Sequence, residues 1–310
     1  MTCVSGQVVT VVIVKVLIPD SPFRSELGRL PQGVELVAQA QPDVEMLVAA
    51  PEFADQLAEL FKSQPRLRVV QAFSAGVDWL MPMTPKGVVV CRAVGVHDAP
   101  VADWVMAVIL AMHRRLPEFI ENQRRAAWIR TDGDEFDARD LEGQSVVIVG
   151  HGSIGRALAA RMEPFGMRVT GIAQHAREDA LPSSALPDLL PHADVVVDLL
   201  PLTPATEKFV NRDFLVRLKP GALFVNAGRG RTVDTQALLA ELQAGRIRAA
   251  LDVTDPEPLP SDHPLWHAPN TLITPHVGGN VPGWQERAYR LAGDQIRRYV
   301  AGEPLLGAVE

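Results

Sequence analysis

The sequence predicts an α/β protein made of two domains, each built on a doubly wound parallel sheet. Three observations carry that prediction. The chain has 310 residues, long for one hydrophobic core, so two domains of roughly 150 residues are expected. Short apolar runs alternate with helix-like stretches along almost its whole length. A glycine-rich turn near the middle follows a β-branched strand and opens a helix.

In the first half, residues 15–19, 34–38, 45–49, 68–72 and 87–91 read as strands of an open parallel sheet. At Asp98-Ala99-Pro100 the pattern changes: a capping carboxylate and an early proline precede the apolar run from Val101 to Met112. A helix of about four turns, buried nearly all round, is expected there. The stretch from Arg114 to Asp140 carries Arg114, Arg115, Arg124, Arg125 and Arg130 and reads as a solvated face or a subunit contact. A second series follows: strands at 146–150, 168–172, 194–200, 222–226, 248–253 and 271–275, a helix from Ile154, and a helix from Asp234 closed by Gly245. Pro182, Pro187 and Pro191 punctuate what reads as a loop. A final helical pattern over about Gly283 to Ala301 returns toward the first domain.

Composition narrows the function classes. Thirty Lys and Arg against 37 Asp and Glu give a formal charge of -7, the wrong sign for a surface that grips nucleic acid or anionic lipid. Any anionic ligand must meet a local basic site. Cys3 and Cys91 form neither a disulfide framework nor a metal-ligand spacing, so no metal is expected and a cytoplasmic location is. The longest apolar run, Val8 to Val14 and on to Ile18, is shorter than the roughly 20 residues that span a bilayer.

Gly150-His151-Gly152-Ser153-Ile154-Gly155 is a G-x-G-x-x-G turn in the strand-to-helix context that gives it meaning. The first glycine permits a tight turn, the second lets backbone approach a pyrophosphate, and the third lets helix and strand pack closely. Backbone N–H groups and the helix dipole then hold the negative charge, with Gly150, Gly152, Ser153, Ile154 and Gly155 as the binding residues. NAD-selective versions place Asp or Glu at the end of the next strand; here the chain reads Ala173-Gln174-His175-Ala176-Arg177. His175 and Arg177 can pair with a 2′-phosphate, which favours NADP over NAD, although Arg177 also reads as an exposed loop charge.

Three more segments end strands on the side where open α/β sheets bind ligands. They are Asn226-Ala227-Gly228-Arg229-Gly230, Leu251-Asp252-Val253-Thr254-Asp255-Pro256-Glu257-Pro258, and Thr274-Pro275-His276-Val277-Gly278-Gly279. A surface arginine, a capped turn and a satisfied histidine explain each one singly; all three at strand ends on the ligand side are much harder to dismiss as such. With Phe73-Ser74-Ala75-Gly76-Val77-Asp78 and Leu200-Pro201-Leu202-Thr203-Pro204, they make the sequence resemble the D-isomer-specific 2-hydroxyacid dehydrogenases, of the glyoxylate/hydroxypyruvate reductase type, over almost the whole chain.

The resemblance implies a flavodoxin-like substrate domain, residues 1–98 and 275–310, and a Rossmann cofactor domain, residues 99–274, with a cleft between them and a homodimer as the assembly. It implies catalytic roles for Arg229, Glu257 and His276. His276 as imidazolium donates the carbonyl proton, Glu257 beside the other ring nitrogen favours that charged form, and Arg229 binds the carboxylate and polarises the carbonyl. Ala75 and Gly76 offer backbone N–H groups to the substrate, Asp252 binds the nicotinamide carboxamide, and Leu200, Pro201, Ala227 and Gly278 line the cofactor. The substrate is then a small 2-keto or 2-hydroxy acid, with Trp284 and the Ala50-Pro51 loop as candidate pocket walls; Trp284 equally suits helix-core packing. The alternative is a dinucleotide-sensing interaction protein of the C-terminal-binding-protein type, against which stands a chain that ends at Glu310, just past the core.

Overall fold

The computed structural model describes residues 13–49, 51–129 and 137–309, so Cys3, Ala50 and Arg130 lie outside the described residues. The strands are β1 (Val14–Leu17), β2 (Val34–Val37), β3 (Val44–Ala49), β4 (Val69–Ala72), β5 (Val89–Cys91), β6 (Ser145–Val149), β7 (Arg168–Ala173), β8 (Leu181–Pro182), β9 (Val195–Asp198), β10 (Leu223–Asn226), β11 (Arg248–Leu251), β12 (Thr271–Ile273) and β13 (Ala308–Val309). The α-helices are α1 (Leu57–Ser63), α2 (Asp98–His113), α3 (Leu116–Arg124), α4 (Ser153–Met162), α5 (Leu186–Leu189), α6 (Arg212–Val216), α7 (Thr235–Gln243) and α8 (Trp284–Ala301). The chain divides into two compact units: Met1–Val96 with Pro282–Glu310, and His97–Val281. The crossings therefore fall at 96/97 and 281/282, against the expected 98/99 and 274/275.

The first unit holds a sheet of order β2-β1-β3-β4-β5-β13, parallel throughout except for β13, which pairs antiparallel with β5. This is the flavodoxin-like order with a short added edge strand, which no periodicity in so short a segment announces. Apolar residues point to both faces because both are covered. Val16, Ile18, Met46 and Val48 pack with Ala288, Leu291, Ala292 and Ile296 of α8, while Leu17, Leu47, Val70 and Val90 pack with Leu57, Leu60 and Phe61 around α1. Trp284 sits edge-on to Phe73, ring centroids 6.5 Å apart, and so joins this core, the second of its two expected roles.

The second unit holds a wholly parallel sheet of order β8-β7-β6-β9-β10-β11-β12, the Rossmann order. On one face Val147, Val196, Phe224 and Ala249 meet Phe214, Leu215, Leu238 and Leu242 from α6 and α7; on the other Val146, Ile148, Val197 and Val225 meet Val105 and Ile109 of α2 and Leu158 and Met162 of α4. Two local expectations change. Asp98 does not occupy the cap position of α2: that position is His97, whose side chain makes no capping hydrogen bond, and Asp98 accepts from the Ser153 hydroxyl at 3.2 Å. The proline-punctuated segment is not a loop but β8, α5 and flanking 3-10 turns. Pro187 and Pro191 each sit in the first turn of a helical piece, where a missing N–H costs nothing.

Candidate active site

Parallel pairing sets the site. Val149, Asp198, Asn226, Leu251 and Ile273 are register neighbours across β6, β9, β10, β11 and β12, so the segments that follow them all leave the same edge of the sheet. The five strands thereby gather the glycine-rich turn, Leu200 and Pro201, Ala227 and Arg229, Asp252 and Glu257, and His276 and Gly278 along one rim.

Gly150 has φ +98°, and a Cβ on it would lie 2.7 Å from the Leu199 carbonyl oxygen, so the turn requires glycine. Gly152 opens α4 without a side-chain cap, no acidic residue stands in the first turn, and nothing lies within 4 Å of where its Cβ would be. An uncapped, uncluttered helix N-terminus containing Ser153, Ile154 and Gly155 fits a pyrophosphate. His175 and Arg177 are both exposed in the turn after β7, and Arg177 Nη2 donates to the His151 carbonyl at 2.5 Å.

Arg229 is half-buried and presented by a turn built on Asp198. The Arg229 carbonyl accepts from Asn226 Nδ2 at 3.0 Å and from the Thr232 hydroxyl at 2.6 Å, and that hydroxyl also lies 2.6 Å from Asp198 Oδ2. Asp198 Oδ1 accepts from the Leu200 amide at 2.9 Å. Asp198 is fully buried, and burial pushes its carboxyl up to about 6 although the bonds from Thr232 and Leu200 pull the other way. Thr232 has one hydroxyl proton and two acceptors; a protonated Asp198 resolves the conflict by donating to Thr232, which then donates to Arg229. Arg229 Nη1 donates to the Gly228 carbonyl at 2.8 Å.

His276 Nδ1 lies 2.6 Å from Glu257 Oε1, with the side chains 48% and 40% exposed. The His276 backbone is left-handed, φ +54°, an uncommon conformation for a non-glycine residue. Buried Asp252 holds that turn: Oδ1 accepts from the Thr274 hydroxyl at 2.6 Å and the Val277 amide at 2.9 Å, and Oδ2 from the Gly278 amide at 2.8 Å. The His276 amide also donates to the Asp252 carbonyl at 2.7 Å. In the other unit, Ala75 and Gly76 follow β4 in a half-buried turn where the Ser74 hydroxyl donates to the Gly76 carbonyl at 2.6 Å. Among the described residues no group of three or more His, Cys, Asp or Glu side chains could hold a metal ion.

Residues 106–278 match the family model described as the D-isomer specific 2-hydroxyacid dehydrogenase NAD-binding domain. The chain belongs to the D-isomer specific 2-hydroxyacid dehydrogenase family. Among relatives of this dehydrogenase family, it is 35% identical to the glyoxylate/hydroxypyruvate reductase B of Klebsiella pneumoniae, covering 90% of this chain and 87% of that one. It is 32% identical to the D-3-phosphoglycerate dehydrogenase of Mycobacterium leprae over 95% of its length, and it spans 58% of that longer protein. A solved D-isomer specific 2-hydroxyacid dehydrogenase from Xanthobacter autotrophicus, in complex with NADPH and MES, superposes with a TM-score of 0.80 at 30% identity, covering 96% of this chain and 98% of that one. An NADPH-dependent glyoxylate/hydroxypyruvate reductase from Sinorhizobium meliloti, in complex with NADP and sulfate, gives 0.80 at 26% identity, covering 96% and 98%.

Asp198 and Thr232 carry no expectation from the sequence, unlike Arg229, Glu257, His276 and Asp252. The signal for Asp198 was there, an acid inside the apolar run Val195-Val196-Val197-Asp198-Leu199-Leu200. Because the folded state binds the Asp198 proton more tightly than the unfolded chain, its contribution to stability is complete below about 3.8 and is lost as pH rises through about 6. Asparagine reproduces the neutral acid, accepting from Leu200 and donating to Thr232. Asp198→Asn is therefore expected to gain about 2–3 kcal/mol on the native protein between pH 4 and pH 7, measured by denaturant unfolding at each pH.

Proposed function

We propose that this protein reduces small 2-keto acids of the glyoxylate and hydroxypyruvate type, and oxidises the matching D-2-hydroxy acids, with NADP(H) favoured over NAD(H). The observation that carries the reading is the His276–Glu257 pair at 2.6 Å on the sheet rim that also presents Arg229. The match to the reductases of Klebsiella pneumoniae and Sinorhizobium meliloti supports it.

The dinucleotide supplies or receives the hydride. The chain's own residues supply the remainder. His276 Nε2 donates a proton to the substrate carbonyl oxygen and takes it back in the reverse direction. Glu257 accepts from Nδ1, fixing the ring so that Nε2 is the atom that passes the proton, and the half-exposed ring is open to water. Arg229, whose Nη1 donates to the Gly228 carbonyl, is assigned the substrate carboxylate and the polarisation of the carbonyl through its planar guanidinium. The Ala75 and Gly76 amides are assigned the other carboxylate oxygen. Gly150, Gly152, Ser153, Ile154 and Gly155 are assigned the pyrophosphate, and Leu200, Pro201, Ala227 and Gly278 the nicotinamide end. Three hydrogen bonds to four lone-pair sites leave Asp252 one acceptor position, enough for a carboxamide N–H. The absence of a carboxylate at Ala173, with His175 and Arg177 following, supports NADP(H).

We further propose a homodimer through α3. That helix buries none of its residues: Leu116 and Ile120, one turn apart, are exposed on it, and Trp128 at 97% exposure and Ile129 are exposed in the segment that follows. Sedimentation is expected to give a dimer for the native chain and a monomer for Ile120→Glu; a monomeric native chain contradicts the assignment.

For the reaction, NADPH and NADH oxidation is followed with a panel of 2-keto acids. Turnover is expected, with His276→Gln losing about 10²- to 10⁴-fold in kcat while dinucleotide affinity stays near native. Tight dinucleotide binding without turnover of any acid points instead to the nucleotide-sensing binder.

A further inference from the structure

Beside the glycine-rich turn, three side chains, His151, Arg156 and Arg177, meet around the carboxylate of Asp179. Asp179 sits in a tight turn closed by antiparallel pairing of Arg177 with Ala180, N···O distances 2.8 and 3.3 Å. Its Oδ2 lies 3.5 Å from Nη1 of Arg156, in the first turn of α4, and 3.8 Å from Nε2 of His151. Its Oδ1 lies 3.8 Å from Nε of Arg177, whose Nη2 is tied to the His151 carbonyl inside the phosphate loop itself.

The seat is built by the strand beneath. The His151 ring is 6% exposed and lies over Gly171 of β7, where a Cβ would come within 2.4 Å of its Cγ, so only glycine leaves room for it. Its Nδ1 is buried without a hydrogen-bond partner. Burial holds the imidazole below the usual histidine range, with Arg156 and Arg177 adding to the effect and Asp179 opposing it. With His151 neutral, two guanidinium charges face one carboxylate, and the cluster keeps a net positive charge. Separations of 3.5–3.8 Å exceed those of a charge-assisted hydrogen bond, so neither arginine is locked to Asp179 and both can exchange it for a stronger anion.

We propose that Asp179 is a specificity-determining residue of the dinucleotide site: it is an internal anion that holds Arg156 and Arg177 beside the phosphate loop until an adenosine 2′-phosphate takes its place on both. The proposal rests on the NADP(H) reading and adds Arg156 and Asp179 to it. A ligand without the 2′-phosphate meets arginines whose charge Asp179 already offsets in part, so it is accepted. A ligand with it brings about two negative charges and three acceptor oxygens, and wins the arginines at the cost of repulsion from Asp179. Asp179 thereby narrows the gap between the two cofactors, which two unpaired arginines would widen.

The test uses the full chain and equilibrium binding, with 2′,5′-ADP against 5′-AMP and NADPH against NADH as probes in titration calorimetry. Asp179→Asn is expected to raise the preference for the 2′-phosphorylated ligand about fivefold, and Arg156→Ala and Arg177→Ala each to lower it by a similar factor. An unchanged thermal midpoint, expected for this exposed turn, confirms that each variant is folded. A preference that is unmoved or lowered in Asp179→Asn, or unmoved in Arg156→Ala, overturns the proposal. A native chain that prefers NADH, yet shifts toward NADPH in Asp179→Asn, overturns the NADP(H) reading and leaves the Asp179 assignment standing. Native preference for NADPH that is indifferent to Asp179 does the reverse.

Discussion

The hydrogen bonds that Asp252 accepts from Thr274, Val277 and Gly278 decide where His276 stands, and the rest of the site depends on them. His276 occupies a left-handed backbone conformation that the chain does not adopt without compensation; a buried carboxylate receiving two backbone amides and a hydroxyl from the same turn provides it. The ring is then free to be half-exposed and still fixed, because Glu257 holds Nδ1. The opposite arm follows the same plan. Asp198, fully buried at the end of β9, anchors Thr232 and through it the carbonyl of Arg229. His276 is exposed and Arg229 half-buried, and both are carried by main chain tied to a buried acid at a strand end.

These acids also explain how a protein of formal charge -7 can present a cation-rich rim. Asp198 and Asp252 face inward, tied to backbone amides and hydroxyls and away from the rim. Arg229, Arg177 and Arg156, together with the N-terminus of α4, remain at the edge where the strands end. The field a ligand meets depends on that local arrangement and not on the net charge.

Much of this was legible in the amino-acid order. The alternation of β-branched runs with helical stretches predicts both sheets, and fully buried parallel strands such as Val146-Val147-Ile148-Val149 are the easiest elements to read. Arg229, Glu257 and His276 lie in polar clusters just after such runs, which marks the segments, while the roles assigned to them come from the family resemblance. Less visible were the residues whose meaning is three-dimensional. Asp198 reads as strand until Thr232, 34 positions on, is seen to meet it. Asp179 reads as a loop charge, and only the fold brings Arg156 and His151 to it. The cap of α2 was misplaced because Asp98 is drawn to Ser153, a tertiary contact that local capping rules do not see. The proline-rich stretch around α5 was read as loop because proline marks both a break and a first turn.

In the proposed reaction His276 is the proton donor and Arg229 the carboxylate clamp, and the main chain of each is tied to a buried acid; a substrate held in one pose by such a pair would receive hydride on one face of its carbonyl. The configuration of the product formed from hydroxypyruvate and NADPH tests that consequence most directly. Chiral chromatography is expected to show D-glycerate alone. L-glycerate, a racemic mixture or no product contradicts the account.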